Sequence, residues 1–135
     1  MKNEEECQFL RLLPDGSLVV KLRDSEQQVK IHGIEVSQPL PELYSEIITQ
    51  RIPRLRKPLR CIVQSKGPAS QAYAKVFYYG WQDKSGDVWI DLAVSLLDEG
   101  LVRVTAGDFP EREEYLQHEH EARTKGVGIW SGKGR

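Results

Sequence analysis

The stretch Val29-Lys30-Ile31-His32-Gly33-Ile34-Glu35-Val36-Ser37-Gln38-Pro39-Leu40-Pro41-Glu42-Leu43-Tyr44-Ser45-Glu46-Ile47-Ile48 changes its hydrophobic period once, and that change decides the fold. Up to His32 the chain alternates: Val29 and Ile31 point one way, Lys30 and His32 the other, as in a half-buried strand, until Gly33 interrupts. Beyond Pro39 the apolar positions Leu40, Leu43, Tyr44, Ile47 and Ile48 recur at three- and four-residue spacing and line one helix face. Pro41 suits the first turn, where its missing N–H would be unpaired anyway, and Pro53 stops the helix.

Upstream, Gln8–Leu13 and Leu18–Leu22 read as strands joined by the turn Pro14-Asp15-Gly16, and a polar turn at Asp24-Ser25-Glu26 leads into the strand at Val29. Downstream, Leu59–Gln64 and Gln71–Tyr79 are β-rich, with Lys66–Ser70 a loop by composition. Trp81–Asp87 reads as a turn. Ile90–Glu99 has helical spacing and ends at Gly100, Leu101–Val104 is a short β-type run, and Glu111–Lys125 is a charged helix with acids at its start and bases at its end. The order βββ-α-ββ-α-α predicts a mainly β chain with α: a five-stranded Greek-key barrel of the OB type with three helices.

With 135 residues, 39% of them hydrophobic, one core is affordable and a multidomain assembly is excluded. Nineteen Lys plus Arg nearly cancel 20 Asp plus Glu, against a globally basic nucleic-acid coat protein but silent about a local patch. No apolar run suffices for a membrane span, and the start Met1-Lys2-Asn3-Glu4-Glu5-Glu6 is acidic where a signal peptide is basic, so the expectation is a cytosolic protein, monomeric or part of a longer chain. Residues 1–6 are expected to be a flexible acidic start, 7–131 one domain and 132–135 a flexible tail. Cys7 and Cys61 have neither zinc spacing nor a disulfide framework and read as buried thiols on strands.

The C-terminal half carries a resemblance. Asp91-Leu92-Ala93-Val94-Ser95-Leu96-Leu97-Asp98-Glu99-Gly100-Leu101-Val102 is similar to the "VNxxLVxxGLA" element of the staphylococcal nuclease-like family. Tyr115 to Glu119, Glu121-Ala122-Arg123 and Gly126-Val127-Gly128-Ile129-Trp130-Ser131 resemble that family's closing "Y…E…AR…GLW". Asp15-Gly16-Ser17 stands where the family has "DGDT", and Val29 to Gln38 where it has "VRLxGIDxPE". The resemblance runs from about Cys7 to Ser131 and implies the OB-type fold and a phosphodiesterase ancestry.

Active members, the resemblance implies, hydrolyse phosphodiesters with one Ca²⁺, a carboxylate base and two arginines, because a hard cation wants oxygen ligands and developing phosphoryl charge is best met by guanidinium forks. Carried across, one metal-binding Asp becomes Ser17 and the other Glu35; the base becomes Gln38, the first arginine Lys30 and the second Gln71. An amide accepts no proton near neutral pH and a lysine lacks the fork, so the expectation is a degenerate, non-catalytic module. No cofactor is expected; Ca²⁺ belongs only to the alternative, a remodelled nuclease in which Glu35 and Asp15 are weak metal candidates.

The run Arg51-Ile52-Pro53-Arg54-Leu55-Arg56-Lys57-Pro58-Leu59-Arg60 holds five cations and no acid. It either tracks a phosphate backbone through Arg51, Arg54, Arg56, Lys57 and Arg60 or faces the acidic N-terminal segment or the Glu-rich last helix. Strand alternation sets Tyr73, Lys75 and Phe77 on one face against Ala74, Val76 and Tyr78 on the other; one set is core, and the other, with Tyr79, Trp81 and Trp89 nearby, offers rings on which bases stack. His118 and His120 point apart on a helix and read as surface residues, and Trp130 as the anchor of the last helix. The expected partner is a single-stranded nucleic acid or a protein, and no membrane.

Overall fold

A computed structural model describes residues 4–66 and 71–132. The elements are β1 (Glu4–Leu12), β2 (Leu18–Leu22), β3 (Ser25–Ile31), β4 (Ile34–Val36), α1 (Glu42–Glu46), β5 (Leu59–Lys66), β6 (Gln71–Asp83), β7 (Gly86–Asp91), α2 (Leu92–Asp98), β8 (Val102–Val104) and α3 (Arg112–Lys125). The protein is thus mainly β with three α-helices. The anticipated loop at Lys66–Ser70 and the tail beyond Gly132 fall largely outside the described residues.

Five strands form a ring of pairings. β2 joins β3 and β1 antiparallel, β1 joins β5, β5 joins β6, and β6 returns to β3 in parallel, with Gln28 opposite Gln71 and Ile31 opposite Ala74. β7 extends beyond the ring, paired with β6 alone, while β4 and β8 form a separate two-stranded sheet. Inside the ring Leu18, Val20, Val29, Ala74 and Val76 are buried, the faces expected from alternation. Leu92, Leu96 and Leu97 of α2 and Tyr44 and Ile48 close the core from the helical side. The helix expected after Pro39 is α1 continued by a π-helical turn, Ile47–Arg51, in which Ile52 N–H donates to Ile47 O; Pro53 then opens a short 3₁₀ turn.

Several boundaries differ from the expectation. Glu4, Glu5 and Glu6, expected to be flexible, belong to β1 and pair with Ile62, Cys61 and Arg60 of β5, because strand pairing across the ring overrides the acidic composition. β3 begins at Ser25, since the reversal occurs one step earlier, where Arg23 takes a positive φ of 60°. Trp81–Asp87 is not a turn: β6 continues to Asp83 and β7 starts at Gly86, leaving Lys84-Ser85 as a two-residue hairpin loop with Asp83 accepting the Ser85 N–H. Tryptophans and a valine favour a pleated surface here more than the polar residues favour a loop. Ile90 and Asp91 consequently end β7, and Asp91 caps α2 by accepting the Ala93 N–H.

Cys7 and Cys61, expected as separate thiols, are both buried and are joined as a disulfide between β1 and β5. Their 54-residue separation hides this; the β1–β5 register, with Glu5 opposite Cys61 and Cys7 opposite Leu59, creates it. No helix among the described residues is long and apolar enough to cross a membrane.

Candidate functional site

A cleft of about 460 Å³ opens beside the β3–β6 junction, and four of the five positions carried over from the resemblance line it: Ser17, Lys30, Glu35 and Gln38. Asp15 and Gly16 come from the β1–β2 turn, Tyr44 from α1, Tyr73 from β6 and Thr105 from beyond β8. Gln71, the fifth, is not among the lining residues; it pairs in register with Gln28, which donates to Ser17 Oγ.

Several polar groups here bond to one another, while Lys30 and Gln38 make no side-chain hydrogen bond or ion pair among the described residues. Asp15 Oδ1 accepts both the backbone N–H and the hydroxyl of Ser17, at 2.9 Å and 2.5 Å, and Gln28 Nε2 donates to Ser17 Oγ at 2.9 Å. Ser17 is only 3% exposed. Tyr44 is fully buried and donates its hydroxyl to Gly16 O. Gly16 needs its φ of +93° to make the turn, and a Cβ there would stand 2.9 Å from Val36 Cγ1. Thr105 Oγ1 donates to Glu35 Oε2 at 3.3 Å. The two Ser17 hydrogen bonds, helped by the Lys30 charge, hold the Asp15 carboxyl below its ordinary range.

Calcium does not fit this donor set. The ion takes about six to eight oxygens, preferably carboxylates. Here the cleft supplies two carboxylates, Asp15 and Glu35, both accepting hydrogen bonds, the Gln38 amide oxygen, and a Ser17 hydroxyl already bonded on both sides, which falls short of that number. No three His, Cys, Asp or Glu side chains gather at metal-binding spacing among the described residues.

The basic run divides. Its ends meet acids: Arg51 pairs with Glu46 at 3.2 Å, and Arg60 with Glu4 of the N-terminal segment at 3.0 Å. Its middle does not: Arg54, Arg56 and Lys57 are exposed and form no ion pair among the described residues. Lys57 lies over the Tyr79 ring, Nζ 4.9 Å from its centroid, and Arg60 over Trp89 at 4.3 Å. Tyr79 and Trp89, directly opposite in the β6–β7 register, meet edge to face. Arg56 and Lys57 also border a second groove of about 730 Å³, where Lys21 and Arg23 are offset by Glu6 and Asp24.

Of the two faces of β6, Ala74 and Val76 are core and Tyr73, Lys75 and Phe77 look outward. Trp81 pairs with Val88 after a bulge at Gly80, which turns it to the face opposite Tyr79. One further cluster joins residues remote in the sequence: Glu111, just ahead of α3, bonds His32 Nε2 at 3.2 Å and Lys75 Nζ at 3.0 Å. Burial pushes the Glu111 carboxyl up, but the Lys75 hydrogen bond and charge outweigh it and leave it below its ordinary range. His118 bonds Asp98 while His120 is exposed, and Trp130 lies beneath the guanidiniums of Arg103 and Arg123 at the end of α3. Compared with known proteins, the chain matches no family model, and no curated protein is significantly similar to it.

Proposed function

We propose that this chain is a nuclease-like barrel of the OB type that binds single-stranded nucleic acid and does not hydrolyse it. The supporting observation is the wiring of the cleft. Where a phosphodiesterase needs a metal-binding carboxylate it has Ser17, buried and held between Asp15 and Gln28. Where a base is needed it has the Gln38 amide, and where guanidinium forks are needed it has Lys30 and Gln71. Losing a general base and a transition-state donor costs on the order of 10² each in rate. The Arg54, Arg56 and Lys57 cations supply the attraction for a polyanion.

The test incubates the protein with single-stranded DNA and RNA at low salt, with Ca²⁺ and with EDTA, reading retention on a filter and product length on a gel. Retention without shortening is expected. EDTA-sensitive shortening that disappears in Glu35→Ala would overturn the non-catalytic reading, and absence of retention would transfer the module to a protein partner.

A further inference from the structure

The outer face of β6 carries an unusual sequence of groups. From Tyr73 at the cleft it runs through Lys75 and Phe77 to Tyr79, and β7 adds Trp89 beside Tyr79. Three of these rings lie under a cation: Lys75 Nζ is 5.5 Å from the Phe77 centroid, Lys57 Nζ 4.9 Å from Tyr79, and Arg60 Cζ 4.3 Å from Trp89. At a strand rise of ~3.3 Å per residue, Tyr73 to Tyr79 covers about 20 Å.

Resting on the reading above, we propose that the single strand lies along this outer stripe rather than in the cleft, its bases stacked on Tyr79, which Trp89 holds edge to face, and its phosphates met by Lys57 and Arg56. Flat rings alternating with cations suit a strand whose bases all have a π-face and whose backbone is anionic. The cations differ in freedom. Arg60 is fixed on Trp89 by Glu4, and its Nε is buried with no hydrogen-bond partner among the described residues, so it positions the indole. Lys57 has no acid partner there and sits on a flexible stem. It can leave the Tyr79 face to a base and follow the phosphate. Lys75 is held by Glu111 and contributes less. The neighbouring 730 Å³ groove shares Arg56 and Lys57, but Phe9 is the one aromatic ring in its wall among the described residues, so it offers bases less to stack on than the stripe.

The experiment follows fluorescence anisotropy of a labelled homopolymeric strand of about 16 nucleotides, the upper end of common OB-type sites. Tyr79→Leu is expected to weaken binding about tenfold and Tyr79→Phe to restore it, since the ring is what stacks. Lys57→Glu, an exposed change that spares the core, is expected to weaken binding and flatten the log-log salt dependence by about one unit. Thermal unfolding of each variant reports its folding. Wild-type affinity in Tyr79→Leu and Lys57→Glu would overturn the stripe while leaving the binding module intact, and a loss in Lys30→Glu alone would then place the strand in the cleft. No binding by the unaltered protein would overturn the module and the stripe together.

Discussion

The cleft and the outer face of β6 share Tyr73 and differ in how their polar groups are satisfied. In the cleft the oxygens answer one another, with Asp15 taking Ser17, Ser17 taking Gln28, Glu35 taking Thr105 and Gly16 taking Tyr44, and Lys30 is the one cation there, without an acid partner among the described residues. On the outer face the acids Glu4 and Glu111 neutralise Arg60 and Lys75, while Lys57 rests on a ring. A site whose donors and acceptors are internally paired charges any ligand the cost of breaking those pairs, whereas a cation over an aromatic face exchanges one modest attraction for a stronger one with phosphate. The contrast makes the state of the hydrogen bonds, rather than shape, the quantity to test.

The hardest way to break this contrast is to rebuild the cleft. Ser17→Asp, Gln38→Glu, Lys30→Arg and Gln71→Arg together replace the four groups the nuclease resemblance marks as lost. Ca²⁺-dependent cleavage of single-stranded DNA is expected to rise on the order of 10²-fold or more above the unaltered protein. Because Ser17→Asp puts a second carboxylate beside Asp15, the variant is expected to be destabilised without metal and to gain Tm on adding Ca²⁺. A rebuilt cleft with neither cleavage nor a Ca²⁺ response would sink the nuclease likeness.

A smaller effect sharpens the contrast. Burial, with the Asp15 charge, pushes the Tyr44 phenol well above its ordinary range, so it donates to Gly16 O throughout neutral pH. Tyr44→Phe leaves a buried carbonyl unpaired and is expected to cost about 2 kcal/mol in urea unfolding. Strand affinity, if the stripe is the binding surface, stays at the unaltered value. A parallel loss of affinity would return the ligand to the cleft.

Much of the fold is legible in the sequence because local periodicity and core packing agree there. Leu18, Val20, Val29, Val76 and the Leu92–Leu97 face all stand where alternation or helical spacing puts them. What was hidden depends on strand register, which no local pattern states. The Glu4–Glu6 pairing, the Cys7–Cys61 bond and the meeting of Glu111 with His32 and Lys75 all join residues remote in sequence. The β6–β7 hairpin is hidden for another reason: Trp81–Asp87 is mostly polar or glycine and looks like a loop, yet only Lys84 and Ser85 are one. Composition does not single out the cleft residues, only their likeness to a family pattern does, and the division of the basic run depends on which arginines lie beside Glu4 and Glu46.

The subtlest effect separates the two regions by sign. Asp15 and Glu111 both titrate below the ordinary carboxylate range in the folded chain, so each contributes stability that is present above its unfolded pKa and lost as acid takes the pH down through its folded pKa. Asp15 is exposed, and Asp15→Asn keeps an oxygen for Ser17, so its change in stability is expected to stay well under about 1 kcal/mol. Glu111→Gln is expected to cost about 1 kcal/mol at neutral pH and to flatten the acid limb of the stability curve, because Lys75 and His32 lose a half-buried carboxylate. The same substitution releases Lys75 onto the stripe, so strand affinity should rise a few-fold while stability falls, an opposition that Asp15→Asn does not produce. Stability from urea titrations across acid pH, set beside anisotropy at neutral pH, measures both quantities on one variant. If Glu111→Gln lowers affinity along with stability, the carboxylate is holding Lys75 in its binding position rather than competing for its charge.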